Sequence, residues 1–473
     1  MAETTTDIRQ LIRADRTQPD SAAVAHVLTG TIFLGVGAIA AALAVLSMGF
    51  PSFIPLGYGV WRAITMLALV MGFATLGLIG ATYFALPRLT GARLWNEKLA
   101  WAGLVLIAGV TALGMIVVGA GLGDGREPFG LPWWLDLPLL AGLGIPPLVA
   151  LFTLRYRIEP RTFVTVPYAV TGLAVLPLLY LAGNVPGLGS VAGTVGDLFL
   201  TAAYTTVLLL MAIGLGHYAV VRQTEQPLAG RQLSHIAYWS LLFGAGWFGV
   251  AQLLGGPIPP WLGTIAAVLG LGLPVGLVAA SAGFFSTIEG RWIEEDRVEP
   301  VAMLSVAGLC FGTVVAVLAA LAGFRSAGHL VAFTSFWEGI VFGFVLGALP
   351  LLTGAVLIHA IPRMTGRSLF SRAQAGRAVR FIVFGAGGLV VFLVAAGLIT
   401  GYSWAGGSFT GAFAAVGEGW DPAMGPSRGF LLLAAIAGIV ASLGNLSLAS
   451  LIIRTLTRGT VTTQEVLVTV EEP

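Results

Sequence analysis

Twelve apolar runs divide this chain, at 28–49, 59–86, 97–121, 134–156, 163–184, 195–221, 233–255, 261–286, 300–323, 333–361, 376–401 and 428–456. Each approaches or exceeds the roughly 20 residues that a helix needs to cross a bilayer. In lipid every backbone N–H and C=O must be satisfied within the protein, which leaves helices or a closed barrel. The runs lack the alternating pattern of barrel strands, so helices are expected. Composition agrees: of 473 residues 57% are hydrophobic and 10% charged, against about a quarter charged in soluble domains. The expected fold is therefore all-α, a polytopic membrane protein with twelve transmembrane helices over 28–456 and tails at 1–27 and 457–473. The 65 glycines suit such a bundle, because small residues let membrane helices approach closely.

The loops give an orientation, since Lys and Arg collect on the cytoplasmic side. With the N-terminus inside, only Arg62, Arg126, Arg325 and Arg428 of the 24 basic residues fall outside. The topology read from this is N-in and C-in. The opening MAETTTDIRQLIRADRTQPD is polar and mixed in charge, so no cleavable signal is read there and it is expected to stay in the cytoplasm. A net charge of +2 gives no footprint for nucleic acid, because topology already accounts for the basic residues. The lipid bilayer is the partner that composition implies. A single cysteine, Cys310, excludes a disulfide framework or a thiolate cluster.

Chemistry inside a bundle needs donors or charges on inward faces. The five histidines, His26, His217, His235, His329 and His359, all fall near span ends, where an interfacial or capping role is expected rather than metal ligation. Asp136, Asp197 and Glu338 fall at outer helix ends, and no span carries an acid at its centre, where ion-coupled transporters usually hold one. Thr201, Thr205, Thr206, Gln252 and Asn445 are the mid-span polar residues, expected to make interhelical hydrogen bonds. The outer loop 402–427 carries Tyr402, Trp404, Phe409, Phe413 and Trp420 among glycines. Aromatic side chains anchor interfaces, so Trp404 and Trp420 are candidates for partner contact, as are Glu338 and Arg325, which could pair with each other or with the partner.

Four stretches, ARLWNEKLAW at 92–101, PWWLDL at 132–137, QPLAGRQLSHIAYW at 226–239 and GAVLIHAIPRMTGRSLFS at 354–371, resemble the catalytic subunit I of heme-copper oxidases. The resemblance is to the cbb-type cytochrome c oxidases, with nitric oxide reductases as near cousins, and spans nearly the whole chain. It implies a twelve-helix bundle whose redox chemistry rests on six histidines. Carried over by position, the low-spin heme ligand before Thr65 becomes Ile64, and the first copper ligand becomes Thr201. The paired copper histidines become Ala251 and Gln252 after Trp247, with Ala245 at the redox tyrosine. The two heme ligands after Gly339 become Ile340 and Phe342.

The resemblance thus points to a heme-free, copper-free homologue of oxidase subunit I, with no cofactor of its own. It would serve as a structural or interaction subunit beside other membrane or electron-carrier subunits in a prokaryotic cytoplasmic membrane. Two other readings stay open from sequence. One is an active terminal oxidase or nitric oxide reductase with unusual ligands such as Met66 or the terminal histidines. The other is a transporter that uses the vacated cofactor cavities. Bulky Ile64, Ile340 and Phe342 predict that those cavities are filled, since protein interiors tolerate few large voids.

Overall fold

The computed structural model describes residues 20–460 apart from 53, 127, 161, 185–189, 225–226, 257, 289–298 and 410–426. Among the described residues every regular element is helical. Among the described residues eleven helices are long and apolar enough to cross a membrane: Ser21–Gly49, Gly57–Thr90, Glu97–Gly119, Trp133–Arg155, Thr165–Gly183, Gly193–Thr224, Pro260–Ile288, Pro300–Ala322, Ser335–Thr365, Arg372–Ser403 and Arg428–Arg458. The expected seventh span is present in two pieces, Arg231–Gly244 and Trp247–Ala251, which completes twelve passes. The first helix begins at Ser21, earlier than the expected residue 28, so His26 lies inside it rather than before it.

Three spans form the interior. In the second, sixth and tenth, 94%, 89% and 100% of the central window is buried, against 39–56% in the other eight continuous spans. Helices apolar all round belong in a core or in lipid. Glycine decides between these by letting neighbours close over the backbone. At Gly72 in the second span, an added Cβ would lie 2.4 Å from the Phe33 ring of the first span, and at Gly347 in the tenth it would lie 2.3 Å from Phe311 of the ninth. The last span packs along both the first and the eleventh, which joins the two ends of the chain.

The second and tenth spans share a further feature. Each changes from α-helix to a π-helical segment, at Leu67–Thr75 and Gly343–Ala348, and back again. Such wide turns are rare and collect at functional sites. The two segments touch across the centre of the bundle. Asn445 of the last span donates to the carbonyl of Leu346 within the tenth-span segment at 3.0 Å, an interhelical bond of the kind expected for it. The three mid-span threonines instead bond back into their own helix, Thr201 to Asp197, Thr205 to Thr201 and Thr206 to Ala202. A hydroxyl four residues after a carbonyl reaches it more readily than it reaches a neighbouring helix.

The interior of the second, sixth, seventh and tenth spans

The seventh span breaks where its glycines allow it. Ala245 takes an extended conformation and Gly246 a φ of +88°, a region that residues with a side chain rarely adopt. A Cβ at Gly246 would also strike the Phe199 ring at 2.4 Å, and that ring stands edge-on to Trp247 at 5.5 Å. The short helix after the break lies directly on the sixth span: a Cβ at Gly249 would come 2.0 Å from the Leu198 carbonyl oxygen and 2.9 Å from Ala202. Thr201 and the pair Ala251–Gln252 are thereby brought onto two segments in direct contact.

The second and tenth spans are tied at their outer ends. Arg62 donates through Nε to both oxygens of Glu338, at 3.0 and 3.1 Å. Two residues further in on each helix stand Ile64 and Ile340, and Phe342 follows one half-turn on. Ile340 is fully buried and Phe342 is 1% exposed. Phe248 of the seventh span meets Phe344 of the tenth, ring centroids 5.7 Å apart. Deeper in, a Cβ at Gly77 would lie 3.4 Å from Leu357 and Thr353, so the second and tenth spans pack against each other without a gap at that level.

This arrangement corrects one expected pairing. Arg325 donates to the Pro260 carbonyl at 2.7 Å and the Thr264 hydroxyl at 2.9 Å, far in sequence from Glu338, whose guanidinium partner is Arg62. The expected outer loop begins later than residue 402, because the eleventh-span helix runs to Phe409; Tyr402 within it is 74% exposed, while the Trp404 side chain and Trp420 lie outside the described residues.

The buried histidines lie elsewhere. His26 stands edge-on to Tyr83 at 5.2 Å and makes a 2.7 Å bond from Nδ1 to the Ala22 carbonyl. His217 Nε2 pairs with Ser234 Oγ at 3.2 Å, and His359 stands edge-on to Tyr218 at 5.6 Å with Arg363 3.1 Å from its Nδ1. All three are at the end assigned to the cytoplasm, and they are buried rather than interfacial. Their sequence position near the ends of apolar runs concealed this: the first helix starts at Ser21, seven residues before its run, and hydropathy does not show that neighbouring helices cover His217 and His359. His359 is about 28 Å along the helix from Ile340 at 1.5 Å per residue.

Heme iron and copper in such bundles need an inward lone pair from His, Met, Cys or carboxylate. Ile64, Ala251, Ile340 and Phe342 carry none, and the Thr201 hydroxyl is spent on Asp197. Gln252 offers an amide whose Nε2 is buried without a partner, yet it stands alone. Among the described residues no three His, Cys, Asp or Glu side chains gather within reach of one metal ion. The residues present do not fit heme or copper at these positions.

The model of the family described as cytochrome c and quinol oxidase polypeptide I matches residues 21–425. The chain is 25% identical to cytochrome c oxidase subunit 1 of Rhodobacter capsulatus over 376 residues, 73% of this chain and 68% of that one. It is 23% identical to a cytochrome c oxidase subunit 1 homologue of Azorhizobium caulinodans over 485 aligned positions, 93% of this chain and 83% of the relative. A cbb3-type cytochrome c oxidase subunit of Stutzerimonas stutzeri is 22% identical over 373 residues, 73% of this chain and 75% of the relative. In fold the chain is similar to a heme-copper terminal oxidase dimer solved by cryo-electron microscopy, with a TM-score of 0.72, 14% identity and coverage of 93% of this chain and 84% of that one. With the match running through nearly all of its transmembrane helices, this chain belongs to the cytochrome c and quinol oxidase polypeptide I family.

Proposed function

We propose that this chain is a heme-free, copper-free member of its family that acts as a membrane-embedded structural or interaction subunit of a larger complex in a bacterial cytoplasmic membrane. The observation that carries this reading is the interior described above. Where the family resemblance puts six ligand histidines, the chain has Ile64, Thr201, Ala251, Gln252, Ile340 and Phe342, all but Gln252 buried, and deeper in the second and tenth spans meet where Gly77 faces Leu357 and Thr353. An imidazole buried without a metal would cost several kcal/mol, so apolar replacement stabilises a bundle that holds no cofactor. The transporter reading lacks the same support, because Ile340 and Phe342 occupy the interior that a solute would need.

A bundle without redox centres still offers surface. The outer face carries exposed Tyr402, and the aromatic segment 404–426 is the proposed docking region for a membrane or electron-carrier subunit. Affinity purification from native membranes in a mild detergent tests this. Recovery of defined partner chains, reduced when residues 404–426 are replaced by a short Gly-Ser linker, supports the role; recovery of this chain alone from membranes that express it overturns it.

A further inference from the structure

A cavity of about 180 Å³ opens at the inner membrane boundary, lined by Asp20, Ala22, Ala23, Tyr83, Pro87, Arg93, Leu94 and Glu97. Its volume is close to the roughly 150 Å³ that accommodates a benzene-sized ring. Tyr83 is 2% exposed, and its hydroxyl is buried with no hydrogen-bond partner among the described residues. Such an orphaned donor is costly unless something outside the protein satisfies it.

The rim supplies charge of both signs. Asp20 is consumed by Arg88, which donates Nη1 to Oδ1 at 3.0 Å and Nη2 to Oδ2 at 2.8 Å, while its guanidinium lies 4.0 Å over the Phe84 ring. Among the described residues Glu97 accepts from the Ser21 hydroxyl through Oε1, with no hydrogen bond to Oε2. Arg93 is exposed beside it. An anion-binding guanidinium and a carboxylate with a spare oxygen therefore face one small space. The depth is marked independently: Trp95, two residues from each, stacks on Phe152 with centroids 4.4 Å apart and is 40% exposed. Tryptophan at a span end collects at headgroup level.

We propose that this cavity binds the headgroup of a zwitterionic aminophospholipid from the inner leaflet. Arg93 takes the phosphate, Glu97 the primary ammonium, and the Tyr83 hydroxyl donates to a phosphate or ester oxygen. Ala22, Ala23, Pro87 and Leu94 cover the glycerol carbons, and the acyl chains stay in the bilayer. Because Tyr83 is on the second span and Ala22 and Ala23 are on the first, the lipid joins those helices at their cytoplasmic ends.

The test exchanges the full-length protein through vesicles of phosphatidylethanolamine, phosphatidylcholine and phosphatidylglycerol in equal parts, then counts retained lipid by native mass spectrometry. Selective retention of phosphatidylethanolamine is expected, reduced about fivefold in Tyr83→Phe by loss of one hydrogen bond. Glu97→Gln is expected to abolish the preference for ethanolamine over choline. Thermal melting without added lipid is expected to be unchanged in Glu97→Gln and the same or higher in Tyr83→Phe, where a buried unpaired hydroxyl is removed, which separates binding from folding. Preferential retention of phosphatidylglycerol, equal retention of all three lipids, or retention indifferent to both substitutions overturns the proposal.

Discussion

Arg62 Nε stands 3.0 Å from Glu338 Oε1 and joins the outer ends of the second and tenth spans across 276 residues of sequence. Both side chains are largely sheltered, at 11% and 24% exposure, so the pair is screened less than a surface ion pair. Removing one partner leaves the other charge poorly solvated. Ile64 and Ile340 follow at the same offset from the two ends, so the pair fixes the relative height of those two apolar positions.

Glu338→Ala is expected to destabilise the protein by roughly 1–3 kcal/mol, the range for losing a sheltered hydrogen bond between charged groups. Arg62→Ala should cost a similar amount, and the double variant less than the sum, because the two changes remove one interaction. Thermal melting of the four proteins in one detergent measures the coupling. Strict additivity would show that the pair contributes nothing of its own.

At Gly249 the short helix after the break lies against the backbone of the sixth span. Gly249→Ala drives a Cβ to 2.0 Å from the Leu198 carbonyl oxygen, which is backbone and cannot swing aside. The expected loss is at least the roughly 1–3 kcal/mol typical of overpacking. Gly59→Ala, with nothing within 4 Å of the added Cβ, is the control and should melt with the unmodified protein. Equal melting of the two variants would refute the packing of the seventh span on the sixth.

Restoring histidines should not restore a heme site. In Ile64→His/Phe342→His, two imidazoles enter an interior where the second and tenth spans already touch, and each buried polar group without a partner costs about 1–3 kcal/mol. The double variant is expected to melt lower and to lack a Soret band after expression with ample heme. A stoichiometric low-spin heme spectrum would show that the space for a porphyrin survives.

The architecture was legible in the sequence because crossing a bilayer imposes a length and an apolarity that twelve runs meet. The bend in the seventh run was written there too, in the glycines of GAGWFG, but hydropathy registers apolarity and not φ. Arg62 and Glu338 could not be matched from sequence: nothing local links residues in different helices, and Arg325 was an equally plausible cation on the same face. The π-helical turns left no trace in composition, since Leu67–Thr75 and Gly343–Ala348 read as ordinary apolar helix. The burial of His26, His217 and His359 was missed because an apolar run measures where lipid could lie and not which faces other helices cover; for His26 the helix also begins seven residues before its run.

The central claim concerns what the bundle holds. The chain, purified from its native membranes grown with sufficient iron and copper, is to be examined by reduced-minus-oxidised absorption, extracted-heme assay and elemental analysis on one sample. Far less than one heme and one copper per chain, with no Soret band, is the predicted result. Heme or copper near one per chain that survives purification would contradict the account.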